Sequence, residues 1–400
     1  MIDSIYLDHN ATTPIYPEVL ESMQICYESN LRNAASPHSF GRQSKAVLEG
    51  AREKIAELLG AQLTGNKPDQ LIFTSGGTEA NNLALAGMAS LSGGRFIVSA
   101  IEHPSVRLMA NQLSQKDTDV VWLPVNRSGS VNPDALRPLC TSDTRLVSVM
   151  LGNNETGILQ PIREIVESCG AGIPVHSDAV QVVGKQKVHF HELGVASLSF
   201  SAHKFHGPMG IGGLLVRHGV HLTPLLHGGV QQMGLRPGTE PIALAVGMCK
   251  ALEIWHANPA GNIKQLKDLR NRFESQLLNQ LPWIVVHGMD QPRLPHTSNI
   301  SFPGIDRQVL LMALDQVGIA CSTGSACASG SSEPSPVLTA MGCREDLIRS
   351  SLRFSLGMTS RAHEVDWATS RICNVAKDLC NGTRIGKSFS LSRDAAPKRL

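Results

Sequence analysis

Through roughly the first 260 residues, short runs that are apolar from end to end alternate with stretches of helical periodicity. No other feature constrains the fold as strongly. Residues 71–74, 96–99, 146–150, 174–176 and 198–200 read as strands, and 79–88 has helical composition. Before them, Val47, Leu48, Ala51, Ile55, Leu58 and Leu59 form a helical stripe that Gly60 ends. A strand that is apolar throughout has both faces covered, and strands separated by helices pair in parallel. The expected class is α/β, built on a mostly parallel sheet.

A second pattern starts near Gly261. Ile263, Leu266, Leu269, Phe273 and Leu277 recur at helical spacing, 283–286 and 299–302 read as strands, and 309–314 as a helix. A Gly/Ser/Ala-rich loop spans 322–332, and a helix-rich end follows Arg361. The polar, basic stretch 381–400 is expected to be frayed.

Lys plus Arg number 36 and Asp plus Glu 34, a net charge of +2 that supplies no broad basic face for nucleic acid. The longest apolar run, 242–249, stops at Lys250, far short of the ~18 residues a membrane span needs. Asp3 and Asp8 lie where a signal peptide would be basic and then apolar. The nine cysteines include no CxxC pair and no metal-ligand spacing. A cytoplasmic protein with reduced thiols and no metal is expected. Charged residues make up only 18%, against about 25% in typical proteins, which suggests large internal surfaces or an oligomer.

Ligands of open α/β sheets collect at the carboxyl ends of the strands, so the residues that follow each strand matter most. After 71–73 comes Thr74-Ser75-Gly76-Gly77-Thr78-Glu79 and then helix: small residues that let backbone N–H groups approach an anion. After 174–176 comes Ser177-Asp178, an acid leaving an apolar strand, where it needs a cap or a buried cation as partner. After 198–200 comes Ser201-Ala202-His203-Lys204, ahead of a Gly-rich turn. A lone lysine is ordinarily a solvated surface group. Burial at a strand end instead lowers its pKa, as Schiff-base chemistry requires. Glu102-His103 and Asn153-Asn154-Glu155 follow two further strands. An anion cradle, a cation-holding acid and a Schiff-base lysine, in that order, specify pyridoxal 5′-phosphate.

These residues resemble the class-V aminotransferase group of the type I pyridoxal-phosphate-dependent transferase fold, and within it the cysteine desulfurases. The resemblance runs from Tyr6-Leu7-Asp8 and Ala11-Thr12-Thr13-Pro14 to Arg353-Phe354-Ser355-Leu356-Gly357, and includes Arg236-Pro237-Gly238-Thr239 and Gly324-Ser325-Ala326-Cys327. It implies a large cofactor domain at 15–260 and a small domain of 1–14 plus 261–400. It also implies that Lys204 binds the cofactor covalently, Asp178 holds the pyridinium N–H, Gln181 reaches the ring hydroxyl and His103 stacks on the ring. Gly77, Thr78, Ser201 and His203 would hold the phosphate, with Thr239 supplied by the second subunit of a homodimer. Asn154 would lie beside the ring, and Arg353 would grip the α-carboxylate of L-cysteine. Cys327 would take the sulfur as a persulfide and pass it to an acceptor protein, for iron–sulfur cluster assembly or tRNA thiolation. Its small polar neighbours suit an accessible loop thiol, whereas Cys321 is expected to be structural.

Two stretches depart from the pattern. Residues 228–233 read Gly-Gly-Val-Gln-Gln-Met where a Gly-Gly-Gly-Gln-Glu-Arg stretch is common, and Asn33-Ala34-Ala35-Ser36 lacks the usual proline. A selenocysteine lyase, and a non-catalytic sulfur carrier or scaffold-binding protein on the same fold, are the rival readings.

Overall fold

The computed structural model describes residues 4–89, 94–116, 118–170, 172–324 and 333–393, with the side chains of the last helix described to Asn381. A two-residue strand, β1 (Ile5–Tyr6), stands apart from the main sheet. That sheet comprises β2 (Gln70–Thr74), β3 (Gly94–Ser99), β4 (Thr118–Leu123), β5 (Thr144–Ser148), β6 (Val175–Asp178), β7 (Ser197–Ser201) and β8 (Gly212–Val216). Its spatial order is β2-β8-β7-β6-β5-β3-β4. Strand β8 runs antiparallel to both neighbours, and the other pairs are parallel. The mostly parallel α/β sheet is therefore the one the apolar runs imply.

Two of its strands escape the sequence pattern for physical reasons. Strand β4 lies at an edge with Asp119 and Trp122 exposed, so it is not apolar throughout. Strand β8 begins inside the Gly-rich turn, where Gly213 packs against the Phe200 ring. Strand β6 also extends further than read, carrying its apolar course into a buried Asp178.

Beyond residue 260, β9 (Val285–Val286), β10 (Thr297–Ser301) and β12 (Ser351–Ser355) form an antiparallel sheet, and β11 (Ile319–Ala320) pairs in parallel with β1. Helices Pro259–Gln280, Arg307–Gln316 and Ala362–Arg393 accompany them. Ile5 and Leu7 join Phe273, Phe302, Phe354 and Ile372 in one apolar cluster. The last helix runs to Arg393, through the stretch expected to be frayed; no proline interrupts it. Among the described residues no helix is long and apolar enough to cross a membrane.

Gly212 pairs with both Thr74 and Ser201, at the strand ends that open onto the cavity described below. A Cβ there would lie 2.6 Å from the Gly76 carbonyl carbon and 2.8 Å from the Phe200 oxygen, both backbone atoms. Gly212→Ala is expected to lower stability by roughly 1–3 kcal/mol. An unchanged urea midpoint would contradict that packing.

Candidate active site

The carboxyl ends of the parallel strands open onto one cavity of about 400 Å³. Its lining includes Gly77, Thr78, His103, Asn154, Asp178, Gln181, Ser201, His203, Lys204 and Arg353. Residues 77 to 353 in the chain thus meet in a single space. Thr239 is exposed and is not part of this lining, and Cys327 lies outside the described residues.

Asp178 ends β6 and is only 4% exposed. Its Oδ2 accepts from Asn81 Nδ2 at 2.7 Å and its Oδ1 from the Val180 N–H at 2.9 Å, which fixes the carboxylate. Asn81, on the helix Gly77–Ala89, also donates to Ser105 Oγ at 2.9 Å. Its Oδ1 accepts from the Ser199 hydroxyl and lies 3.2 Å from His176 Nε2. One buried amide therefore joins the elements that carry Asp178, β7 and His103.

His103 caps the helix Pro104–Ser114: its Nδ1 accepts from the Ser105 N–H at 3.1 Å, which holds the ring at the cavity wall. Burial lowers its pKa, against the opposing pull of the Asp178 charge. Lys204 closes the short turn Ala202–Lys204 after β7, and its Nζ donates to the carbonyls of Asn10 at 2.6 Å and Ala11 at 2.7 Å. Gln181 donates from Nε2 to the same Asn10 carbonyl at 3.1 Å and accepts from Lys185 Nζ at 3.2 Å. Lys185 is buried; desolvation, followed by the charges of Lys204 and Arg353, drives its pKa well below that of an ordinary lysine.

At the other end of the cavity, Gly77 and Thr78 open a helix of thirteen residues. A Cβ on Gly77 would meet Val180 at 2.6 Å. The Ser201 hydroxyl is buried without a hydrogen-bond partner. Burial holds His203 neutral, with its pKa near 4. A helix N-terminus, two hydroxyls and a neutral imidazole suit a phosphate. Arg353, 1% exposed, donates to Asp8 Oδ1 at 2.6 Å and to the carbonyls of Asn154 at 3.0 Å and Gly324 at 3.1 Å. Its Nε is buried and has no hydrogen-bond partner among the described residues. The residues present fit pyridoxal 5′-phosphate: an unsatisfied hydroxyl at the phosphate end, a fixed carboxylate for the ring nitrogen and a lysine between them.

Several groups at the site escape sequence reading. Asn10 and Asn81 act through partners remote in the chain, and nothing in their neighbours signals it; Lys185, bonded to Gln181 four residues before it, gives no sign of its burial. Glu102 is visible only as the companion of His103. It is 2% exposed, its Oε1 accepts from the Met150 N–H at 2.6 Å, and its Oε2 has no partner. Burial, then the Asp178 charge, push its pKa up to about 8. Cys321, just after β11, is partly buried, and desolvation pushes its thiol pKa up.

The family model for aminotransferase class-V matches residues 5–367. The chain is 41% identical over 367 residues to the cysteine desulfurase IscS of Dictyoglomus turgidum, covering 91% of this chain and 92% of that one. It is 42% identical over 374 residues to the IscS-like cysteine desulfurase of Mycobacterium tuberculosis, covering 91% and 94%. Among solved structures, a NifS-like protein superposes with a TM-score of 0.86 at 34% identity, covering 94% of this chain and all of that one.

Glu102 gives the site a pH signature. The folded protein keeps a proton up to about pH 8 that the unfolded chain releases near its ordinary value of 4.5. Wild-type stability should therefore fall relative to Glu102→Gln as pH rises through that window, by about 1.4 kcal/mol per pH unit at most. A stability difference between the two proteins that is the same at pH 5 and pH 8 would refute a protonated Glu102.

Proposed function

This chain belongs to the aminotransferase class-V family, and on that premise we propose how its cavity works as a cysteine desulfurase with pyridoxal 5′-phosphate as cofactor. The observation that carries the reading is the meeting of Lys204, the fixed Asp178 carboxylate, the unpartnered Ser201 hydroxyl and Arg353 on one cavity.

When bound, the cofactor supplies the electron sink for the pair left on the substrate Cα. Asp178 would keep a proton on the ring nitrogen, Gln181 would meet the ring hydroxyl, and His103 and Asn154 would hold the ring. Gly77, Thr78, Ser201 and His203 hold the phosphate. Arg353 receives the L-cysteine carboxylate through its unpartnered Nε face. Lys204 would hold the cofactor covalently, and its amine, when free, would take the Cα proton at Nζ. The Cys327 thiolate forms the new S–S bond as the substrate's Cβ–S bond breaks. The electron pair left on Cβ takes a proton, the proton held at Lys204 Nζ returns to Cα to give L-alanine, and Cys327 keeps the persulfide.

The working form in this reading is a homodimer, with Thr239 of the partner subunit completing the phosphate site. Thr239 is exposed here, and Met209, which borders an opening with Gly77, Thr78 and His203, is 68% exposed. The division into units at 15–260 and at 1–14 plus 261–400 rests on the separate apolar cluster that holds Ile5 and Leu7. A sulfur-acceptor protein then collects the persulfide in the cytoplasm, for cluster assembly or tRNA thiolation.

Lys204→Ala is expected to abolish both the visible absorbance of lysine-bound cofactor and alanine formation; absorbance retained in the variant would refute the assignment. Cys327→Ser should keep the cofactor and its spectral response to cysteine yet release almost no alanine, because a hydroxyl is a poor nucleophile toward sulfur. Wild-type protein given cysteine without reductant should gain one sulfur on the peptide bearing Cys327. A mass spectrum that places the sulfur on Cys321 would name a different acceptor.

A further inference from the structure

Glu155 lines the cavity but has no part in the roles just assigned, and it touches described residues on both sides of 325–332. It follows β5 in the turn 153–156, is 3% exposed and is fixed from both directions. Its N–H donates to Asn153 Oδ1 at 2.9 Å, and its carbonyl accepts from Asn299 Nδ2 at 3.3 Å.

Its carboxyl meets both ends of the interrupted segment. On the N-terminal side, the Gly324 backbone packs against it so closely that a Cβ on Gly324 would lie 2.9 Å from Glu155 Oε2. Gly324 has a φ of +98°, which favours glycine independently. On the C-terminal side, the Ser335 hydroxyl donates to Glu155 Oε2 at 2.5 Å and accepts from the Leu338 N–H at 3.0 Å. Ser335 is fully buried. Burial raises the Glu155 pKa, and the Ser335 bond, with the nearby Arg353 and Arg307 charges, pulls against it.

Two arginines complete the arrangement. Arg353 donates to the Gly324 carbonyl at 3.1 Å, and its backbone exchanges hydrogen bonds with Ser322 at 2.6 and 3.1 Å. Buried Arg307 donates to the Glu333 carbonyl. The group read as the carboxylate anchor is thus bonded to one end of the segment that carries Cys327, and Glu155 joins that end to the other.

We propose that Glu155 is a positioning residue for sulfur transfer, clasping both ends of the Cys327 segment beside Arg353. The proposal rests on the reading of Cys327 as sulfur acceptor. It predicts a defect concentrated in the step that needs Cys327: Glu155 lines the cavity, but its carboxyl is engaged by Ser335 and carries none of the roles assigned above for cofactor binding or Cα proton removal.

The test compares cofactor-loaded wild type with Glu155→Ala, Glu155→Gln, Ser335→Ala and Cys327→Ser. Two reactions are followed: alanine formation from L-cysteine, and chloride release from 3-chloro-L-alanine. In the second, chloride leaves with the Cβ–Cl electron pair as Cα loses its proton, and no thiol is needed. Glu155→Ala and Ser335→Ala should lower alanine formation roughly 10- to 100-fold, as misplacement of a reacting group does. Chloride release should stay within about twofold of wild type, and Glu155→Gln, whose amide oxygen still accepts from Ser335, should rescue most alanine formation. If both reactions fall together in Glu155→Ala and Ser335→Ala, the clasp is overturned in favour of general support of the cavity. If alanine formation is unchanged in those two while Cys327→Ser is inactive, the clasp is overturned and the acceptor reading stands. If Cys327→Ser still forms alanine at the wild-type rate, the acceptor reading itself fails.

Discussion

A guanidinium that is 1% exposed cannot be left without partners, and the arrangement around Arg353 answers that demand. Removing such a charge from water costs several kcal/mol unless the fold supplies matching groups in place. Here they come from three separate segments: the Asp8 carboxylate and the carbonyls of Asn154 and Gly324. Arg353 itself lies in β12, paired along its length with β10. The requirement explains how a strand of only two residues, β1, holds its place. Such a strand cannot sustain itself by pairing alone. Asp8 bridges to Ser355, Asn10 bonds the Ser355 hydroxyl at 2.9 Å, and Leu7 is buried with Phe354.

That same N-terminal segment then reaches the lysine. Asn10 donates to Thr297 Oγ1 at 3.0 Å and to the Asn154 carbonyl at 3.2 Å, while its own carbonyl accepts from Lys204 and Gln181. The charge balance follows from the burial this produces. His9, His203 and His206 are pushed down to about 4, in each case chiefly by desolvation, and Lys185 is pushed far down by the same cause. The three imidazoles are thereby neutral at neutral pH. In the proposed reading an anionic substrate would meet Arg353 as a directional partner.

The chemistry at the strand ends was legible because of where it falls. Asp178, Gln181, Ser201, His203 and Lys204 each follow an apolar run, and a polar group in that position needs a reason to be there. Asn81 offered no such contrast. It lies mid-helix in ordinary helical composition, and its partners at 105, 176, 178 and 199 are set by tertiary packing alone. Lys185 offers no contrast either: it bonds Gln181 four residues away, and its burial beside the Lys204 and Arg353 charges is a tertiary fact. Strand β4 was hidden because an exposed edge needs no continuous apolar face. The N-terminal segment was visible as a motif, yet its bonds to Lys204 pass through backbone carbonyls, which every residue possesses.

The departure at residues 230–233 has a physical account of its own. Gln232 and Met233 both take left-handed backbone angles, φ 48° and 59°, a conformation that costs non-glycine residues on the order of 1 kcal/mol or more. Strand β2 is an edge of the main sheet, with backbone groups open on one side. Gln232 fills that opening as a neighbouring strand would. Its Oε1 accepts from the Phe73 N–H at 2.7 Å, and its Nε2 donates to the Phe73 carbonyl at 2.9 Å. The same amide accepts from Arg52 at 3.1 Å and donates to the Arg236 carbonyl at 3.3 Å. A glutamate could accept from Phe73 and Arg52, but would turn oxygens toward the two carbonyls. The amide alone completes all four bonds, and Arg52, which it engages, is itself held by Glu240 at 2.8 Å. Two strained residues are thus over-determined by the sheet edge they cover. From that fixed point Arg236 reaches Glu79, in the first turn of the phosphate-side helix, at 2.8 Å. The two side chains are only 23% and 18% exposed, so desolvation offsets part of the pair's attraction. Its effect is directional: the path of residues 236–239 is set against the helix that begins at Gly77, so replacing the commoner charged pair changes how this segment is anchored without leaving it unanchored.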